Sequence, residues 1–170
     1  YSRRIVSPYV CRLYPRLLHA NIEIRTAFLD RAVTQIATLS KTRVRLITLG
    51  GGYDTRSIKL LERGVIKEAV ELDLPAGVQA KQQLLASQRF QSRRRQGAVA
   101  LPTCYGVDLN QVSQVREILQ ELLAQDDSTA TIFLFEAVFL YLNPGIPTAL
   151  LELCSEMSQK DSWLCLVDRL

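Results

Sequence analysis

Residues 43–56, Arg-Val-Arg-Leu-Ile-Thr-Leu-Gly-Gly-Gly-Tyr-Asp-Thr-Arg, constrain the fold more than any other stretch of the chain. Val44, Leu46, Ile47 and Leu49 make an apolar run long enough for one buried strand. The run stops at Gly50-Gly51-Gly52, and a helical segment is expected from near Asp54, whose carboxylate suits an N-cap. A buried strand, a glycine turn and a helix start form the first unit of many nucleotide- or nucleoside-binding α/β domains. Consecutive glycines permit positive φ and let a ligand approach the backbone. The plainer reading is a glycine-rich connection with no ligand.

The totals set the bounds. A chain of 170 residues, 48% hydrophobic and 22% charged, suits one globular domain. No apolar run approaches the ~20 residues of a membrane helix, and nothing has the form of a cleavable signal peptide. The chain opens on Tyr1 rather than Met, so residues are expected to precede it. Of the net charge of +4, much lies in Arg89 and Arg93-Arg94-Arg95. This reads as a solvated basic loop, with nucleic acid or an acidic partner as the alternative. Cys11, Cys104, Cys154 and Cys165 form no Cys-x-x-Cys pair, which points to reduced thiols, a cytoplasmic location and no zinc site. His19 is the sole histidine, so a histidine triad or a His-rich metal site has little to work with.

Taken in order, residues 1–18 read as short helical or irregular pieces, and residues 21–39 carry apolar positions at helical spacing. Residues 1–40 are expected to form a helical cap on an α/β core of residues 41–170. Arg25, early in the first helix, reads from the pattern as a surface arginine. After the glycine turn and a helix ended by Gly64, residues 67–73 read as a second strand. Asp73 closes it just before Pro75, which opens a helix to about Gln91. An acid at that place, about 20 residues after the glycines, can accept both ribose hydroxyls of an adenosine; otherwise it is an exposed loop carboxylate.

Residues 98–101 are expected to form a third strand. Asp108 follows as a turn residue, a helix cap, or an acid reaching the adenine amino group. Residues 130–135 are the most apolar strand, and Glu136 closes it. A carboxylate in such a run costs too much to bury unpaired, so it should point into a ligand crevice; a buried structural acid is the alternative. A fifth strand spans 163–167. Strands alternating with helices predict a doubly wound, mostly parallel Rossmann-like α/β sheet.

The glycine turn offers Gly50-x-Gly52, but Thr55 stands where a dinucleotide fingerprint needs its third glycine, and no Gly-Lys-Ser/Thr follows for a triphosphate. S-adenosylmethionine fits better, since its adenosine wants the acid after strand two and its methionine end needs no pyrophosphate cradle. Here the residues resemble the leucine carboxyl methyltransferases and their wybutosine-synthesis relatives. The resembling pieces are Asn-Ile-Glu-Ile-Arg25-Thr, Leu49-Gly-Gly-Gly-Tyr-Asp-Thr-Arg56, Val70-Glu-Leu-Asp73-Leu-Pro, Val107-Asp108-Leu109 and Phe135-Glu136-Ala-Val-Phe-Leu-Tyr141-Leu-Asn-Pro. They run in the family's order through nearly the whole chain.

The resemblance implies a class I methyltransferase sheet with S-adenosylmethionine as methyl donor. By position, Arg25 would hold the donor's carboxylate, and Gly50 would let the donor lie against the backbone. Asp73 would bind the ribose, Asp108 and Leu109 would bracket the adenine, and Glu136 would hold the amino end. Tyr141 lies toward the acceptor. The best-known acceptor in the family is the C-terminal leucine carboxylate of the protein phosphatase 2A catalytic subunit. A wybutosine-type tRNA methyltransferase is the alternative enzyme, and a non-catalytic binding module the alternative of another class. A carboxylate acceptor is ionised at pH 7, with a reference pKa near ~4, and requires no general base. Two departures stand out. A glycine replaces the alanine of the family's Gly-Ala-Gly, and the sequence stops after strand five, where the family adds two strands and a helix. The expectation is a C-terminally truncated fragment whose last strand is an open edge and whose turnover is in doubt.

Overall fold

The computed structural model describes residues 16–87, 100–124, 129–159 and 161–168, with side chains from residue 20. Helix α1 spans Arg16–Leu39, followed by β1 (Val44–Leu49), α2 (Arg56–Glu62), β2 (Glu68–Asp73), α3 (Pro75–Ala86) and β3 (Thr103–Gly106). Then come α4 (Val112–Leu123), β4 (Ala130–Glu136), a 3-10 turn at Phe139–Tyr141, α5 (Ile146–Met157) and β5 (Trp163–Val167).

The five strands form one parallel sheet in the order β3-β2-β1-β4-β5. The chain winds outward from β1 to β3, then returns to the far side of β1 for β4. The switch in winding therefore falls between β1 and β4, where α/β sheets open a crevice at the carboxyl ends of their strands. The expected doubly wound parallel α/β sheet is what the chain forms.

Both faces of the sheet are covered, which explains why β1 is buried along its whole length and mostly apolar, Arg45 and Thr48 being its polar exceptions. Side chains alternate between faces along each strand. On one face Val44 and Leu46 of β1 and Ile132 and Leu134 of β4 pack with Leu29 and Val33 of α1 and Leu60 of α2. On the other, Ile47, Leu49, Phe133 and Phe135 pack with Val115 and Leu119 of α4 and Leu150 and Leu153 of α5. Phe135 and Phe139 meet edge to face at 5.2 Å between ring centres.

Several boundaries differ from the sequence reading. The third strand is Thr103–Gly106, and residues 100–101 lie in no regular element. The strand is fixed by its partner: Val70 pairs with Thr103 and Asp73 with Gly106, so the edge strand must run level with the end of β2. Being an edge, it is half-exposed and lacks the apolar signature that favoured Ala-Val-Ala-Leu. Helix α1 starts by Arg16, inside a stretch read as short helical or irregular pieces, and α3 ends at Ala86, with residues 88–91 outside the described residues. Helix α2 begins at Arg56, and Asp54 still accepts the Arg56 amide at 2.9 Å through its carboxylate. The basic residues Arg89 and Arg93–Arg95 lie outside the described residues. No helix among the described residues is long and apolar enough to cross a membrane.

Candidate functional site

A hollow of about 250 Å³ opens at the switch between β1 and β4. It is lined by Arg25 and Thr26 of α1, Thr48 of β1, Gly50, Gly51 and Asp54 of the turn, and Leu134 and Glu136 of β4. Its floor is glycine for steric reasons. Gly50 has φ +85°, and a Cβ built on it would fall 2.5 Å from Val138 Cγ2. A Cβ on Gly51 would meet the Glu71 carboxylate at 3.1 Å. The backbone of the turn is thereby bared to the hollow.

Glu136 is the central charge. Its Oε1 accepts Arg25 Nε at 2.7 Å and lies 3.5 Å from Thr26 Oγ1, while its Oε2 accepts Arg56 Nη2 at 2.7 Å. Burial alone would raise the Glu136 pKa, but the Arg25 hydrogen bond and the nearby Arg56 outweigh it, so the carboxyl sits below its ordinary 4.5. Arg56, 2% exposed, also donates Nε to Asp30 Oδ1 at 2.5 Å and Nη1 to Asp54 Oδ2 at 2.7 Å. Burial disfavours its charge, yet Asp54, Asp30 and Glu136 together hold its pKa above the ordinary arginine value. Two arginines thus face three carboxylates, leaving the hollow with a net negative charge that favours a cationic ligand.

The backbone after Glu136 is fixed as firmly. Ala137 takes φ 52°, a costly value for a residue with a Cβ. The next two amides, of Val138 and Phe139, both donate to Asp168 Oδ2 at 2.6 and 2.7 Å. Beneath the turn, Lys81 of α3 pairs with Glu71 of β2, both buried, and donates to the Asp54 carbonyl at 2.7 Å.

Of the residues expected at the site, Arg25, Gly50 and Glu136 line the hollow together. Asp73 joins them through the turn: its Oδ2 accepts the Gly52 amide and its Oδ1 the Leu74 amide at 2.6 Å. Its carbonyl accepts the Val107 amide at 2.7 Å, which sets the ends of β2 and β3 side by side. Asp108, half-buried, accepts the amide and the side-chain nitrogen of Asn110, each at 2.9 Å. Leu109 is 5% exposed and belongs to the core cluster. Tyr141 is 76% exposed on the 3-10 turn, outside the lining of the hollow. Asp30, Asp54, Thr26 and Arg56 went unassigned from the sequence. Asp54 was read only as a helix cap, Thr26 and Arg56 fell within the stretches that resemble the family without a role of their own, and Asp30 carried no signal.

A parallel sheet with glycine and acid at its switch point defines a doubly wound, Rossmann-like α/β fold. A family model described as leucine carboxyl methyltransferase matches residues 12–155. The chain belongs to the leucine carboxyl methyltransferase family. No curated protein matches the chain.

Proposed function

We propose that the protein is an S-adenosylmethionine-dependent carboxyl O-methyltransferase. One observation carries the reading: Glu136, ionised and partly open, shares a hollow with bare glycine backbone at the sheet's switch point. The residues present suit the donor. A carboxylate offers about four acceptor positions, so Asp73 keeps capacity for two ribose hydroxyls beyond its two backbone amides. Thr48 Oγ1 is buried at the hollow with no hydrogen-bond partner among the described residues, a polar atom suited to a ligand. The negative balance of the hollow suits a sulfonium.

When bound, the donor supplies an electrophilic methyl group. Arg25 would take its carboxylate, Glu136 its ammonium, Asp73 its ribose, and Asp108 with Leu109 its adenine; Tyr141 would stand toward the acceptor. The protein's contribution is to orient and to exclude water. A carboxylate acceptor arrives already ionised, so the lack of an assigned general base is no obstacle. The family's name supports a leucine carboxylate as acceptor. The C-terminal tail of the protein phosphatase 2A catalytic subunit is the acceptor we propose. We place the protein in the cytoplasm, in keeping with the free thiols of Cys104, Cys154 and Cys165.

Calorimetric titration with S-adenosylmethionine tests the donor site. Binding at micromolar level is expected, weakened at least about tenfold in Arg25→Ala and in Asp73→Ala. Indifference to both substitutions refutes the assignment. A radiolabelled methyl assay with leucine-ended peptides and tRNA side by side tests the acceptor: label on the peptide supports the proposal, and label on tRNA, or on neither, overturns it.

A further inference from the structure

We propose that Arg56 is the positioning residue for Glu136, locking one carboxylate oxygen so that the other alone meets the ligand's ammonium. The inference rests on the donor reading given above. Arg56 is 2% exposed, and its Nε, Nη1 and Nη2 each reach a different carboxylate, on α1, on the glycine turn and on β4. A planar guanidinium held at three points cannot rotate away from any one of them. Its own amide donates to Asp54 Oδ1 at 2.9 Å, which ties backbone and side chain to the same acid. Arg25 differs: its side chain is 27% exposed, and it meets only Oε1 of Glu136. The two arginines therefore divide the work. Arg56 holds the inner oxygen permanently, and Arg25 covers the outer oxygen and can exchange it for a ligand carboxylate.

A lysine could not do the same, because one ammonium lacks the fork that reaches three acids. The charged and titratable groups around Glu136 are Arg25 and Asp30 from α1, Asp54 from the turn and Arg56 from α2, with Cys165 of β5 close enough to feel Arg56. Without Arg56, only Arg25 would oppose the upward push of burial on the Glu136 carboxyl; once Arg25 turns to the ligand's carboxylate the carboxyl would rise, and protonation would remove its hold on an ammonium.

The test uses S-adenosylhomocysteine, which carries the amino-acid end, and 5′-methylthioadenosine, which lacks it. Both are titrated calorimetrically into the full chain, its Arg56→Met and Arg56→Lys variants, and Glu136→Gln as the control for pH. The wild type should prefer S-adenosylhomocysteine, with that preference flat from pH 7.5 to 5.5. Arg56→Met should lose about 10- to 100-fold for S-adenosylhomocysteine and change little for 5′-methylthioadenosine. The loss should deepen toward pH 5.5, and no such deepening should occur in Glu136→Gln. Arg56→Lys, which keeps the buried charge, should show a smaller selective loss and serves if Arg56→Met fails to fold. A wild-type protein that binds neither nucleoside sinks the donor reading and this inference with it. A wild type with the preference, but Arg56 variants that weaken both nucleosides equally or show no pH dependence, overturns this inference alone. So does a wild-type preference that collapses between pH 7.5 and 5.5.

Discussion

Replacing Gly50 with alanine probes the floor of the hollow in two separable parts. The first is backbone: at φ +85° a residue with a Cβ is strained by about 1–2 kcal/mol. The second is steric. The new Cβ would lie 2.5 Å from Val138 Cγ2 and 3.0 Å from Val138 Cβ. Val138 cannot swing aside, since it is 9% exposed and its amide is held by Asp168 at 2.6 Å. Overpacking of that sort costs about 1–3 kcal/mol. Gly50→Ala should therefore lower unfolding free energy by about 2–5 kcal/mol, read from urea denaturation of the full chain. Gly52→Ala is the comparison, because its φ is +45° but the nearest atom, Asp73 Oδ2, is 4.0 Å away. It should cost only the backbone part, about 1–2 kcal/mol. Adding Val138→Ala to Gly50→Ala removes the 2.5 Å contact and leaves the one at 3.0 Å, so part of the steric cost should return. A coupling of about 1–2 kcal/mol is expected in the double-mutant cycle. Equal costs for the two glycines, together with strict additivity at Gly50 and Val138, would refute the packing argument.

Other expectations follow from the same geometry. Lys81→Met strands the buried Glu71 carboxylate and should cost about 3–5 kcal/mol in urea, with Glu71→Gln added to it recovering part of the loss. Asp168→Ala removes the acceptor of two amides after Glu136; it should cost about 2–3 kcal/mol and speed hydrogen exchange at Val138 and Phe139. Because the folded pKa of Glu136 lies below 4.5, its contribution is present above that pH and is lost as pH falls through the folded value. The stability gap between wild type and Glu136→Gln should thus be widest near neutrality and narrow below pH 4.5, as acid titrations of unfolding would show. Burial, first, and then the neighbouring Glu71 push the Cys104 thiol up to about 11, against an ordinary 9.0. At pH 8 its alkylation, resolved by peptide mass, should run about a hundredfold slower than that of a free thiol.

What the sequence revealed of this fold follows from what burial does to composition. Strands covered on both faces are mostly apolar, so β1 and β4 were legible despite Arg45, Thr48 and Thr131, and so were the glycines and acids that stop them. Edge strand β3, being half-exposed, has no such signature; its position is dictated by pairing with β2, a long-range fact that local pattern cannot express. The site divides the same way. Gly50, Asp73 and Glu136 announced themselves by standing at strand ends. Arg56 did not, because an arginine in a first helical turn looks solvated until Asp30, distant in sequence, is folded against it. Arg25 looked like a surface residue by pattern for the same reason; the family resemblance alone gave it a site role, and its meeting with Glu136 across 111 positions puts it at the hollow.

The central claim is that acids and glycines from successive strands converge on one nucleoside-binding hollow. Amide chemical-shift mapping of the ¹⁵N-labelled chain, titrated with S-adenosylhomocysteine, tests it most directly. Concerted shifts at Gly50, Gly51, Gly52, Asp73, Asp108, Leu109 and Glu136 are predicted. Shifts confined to the opposite end of the sheet, or none at saturating ligand, would contradict it.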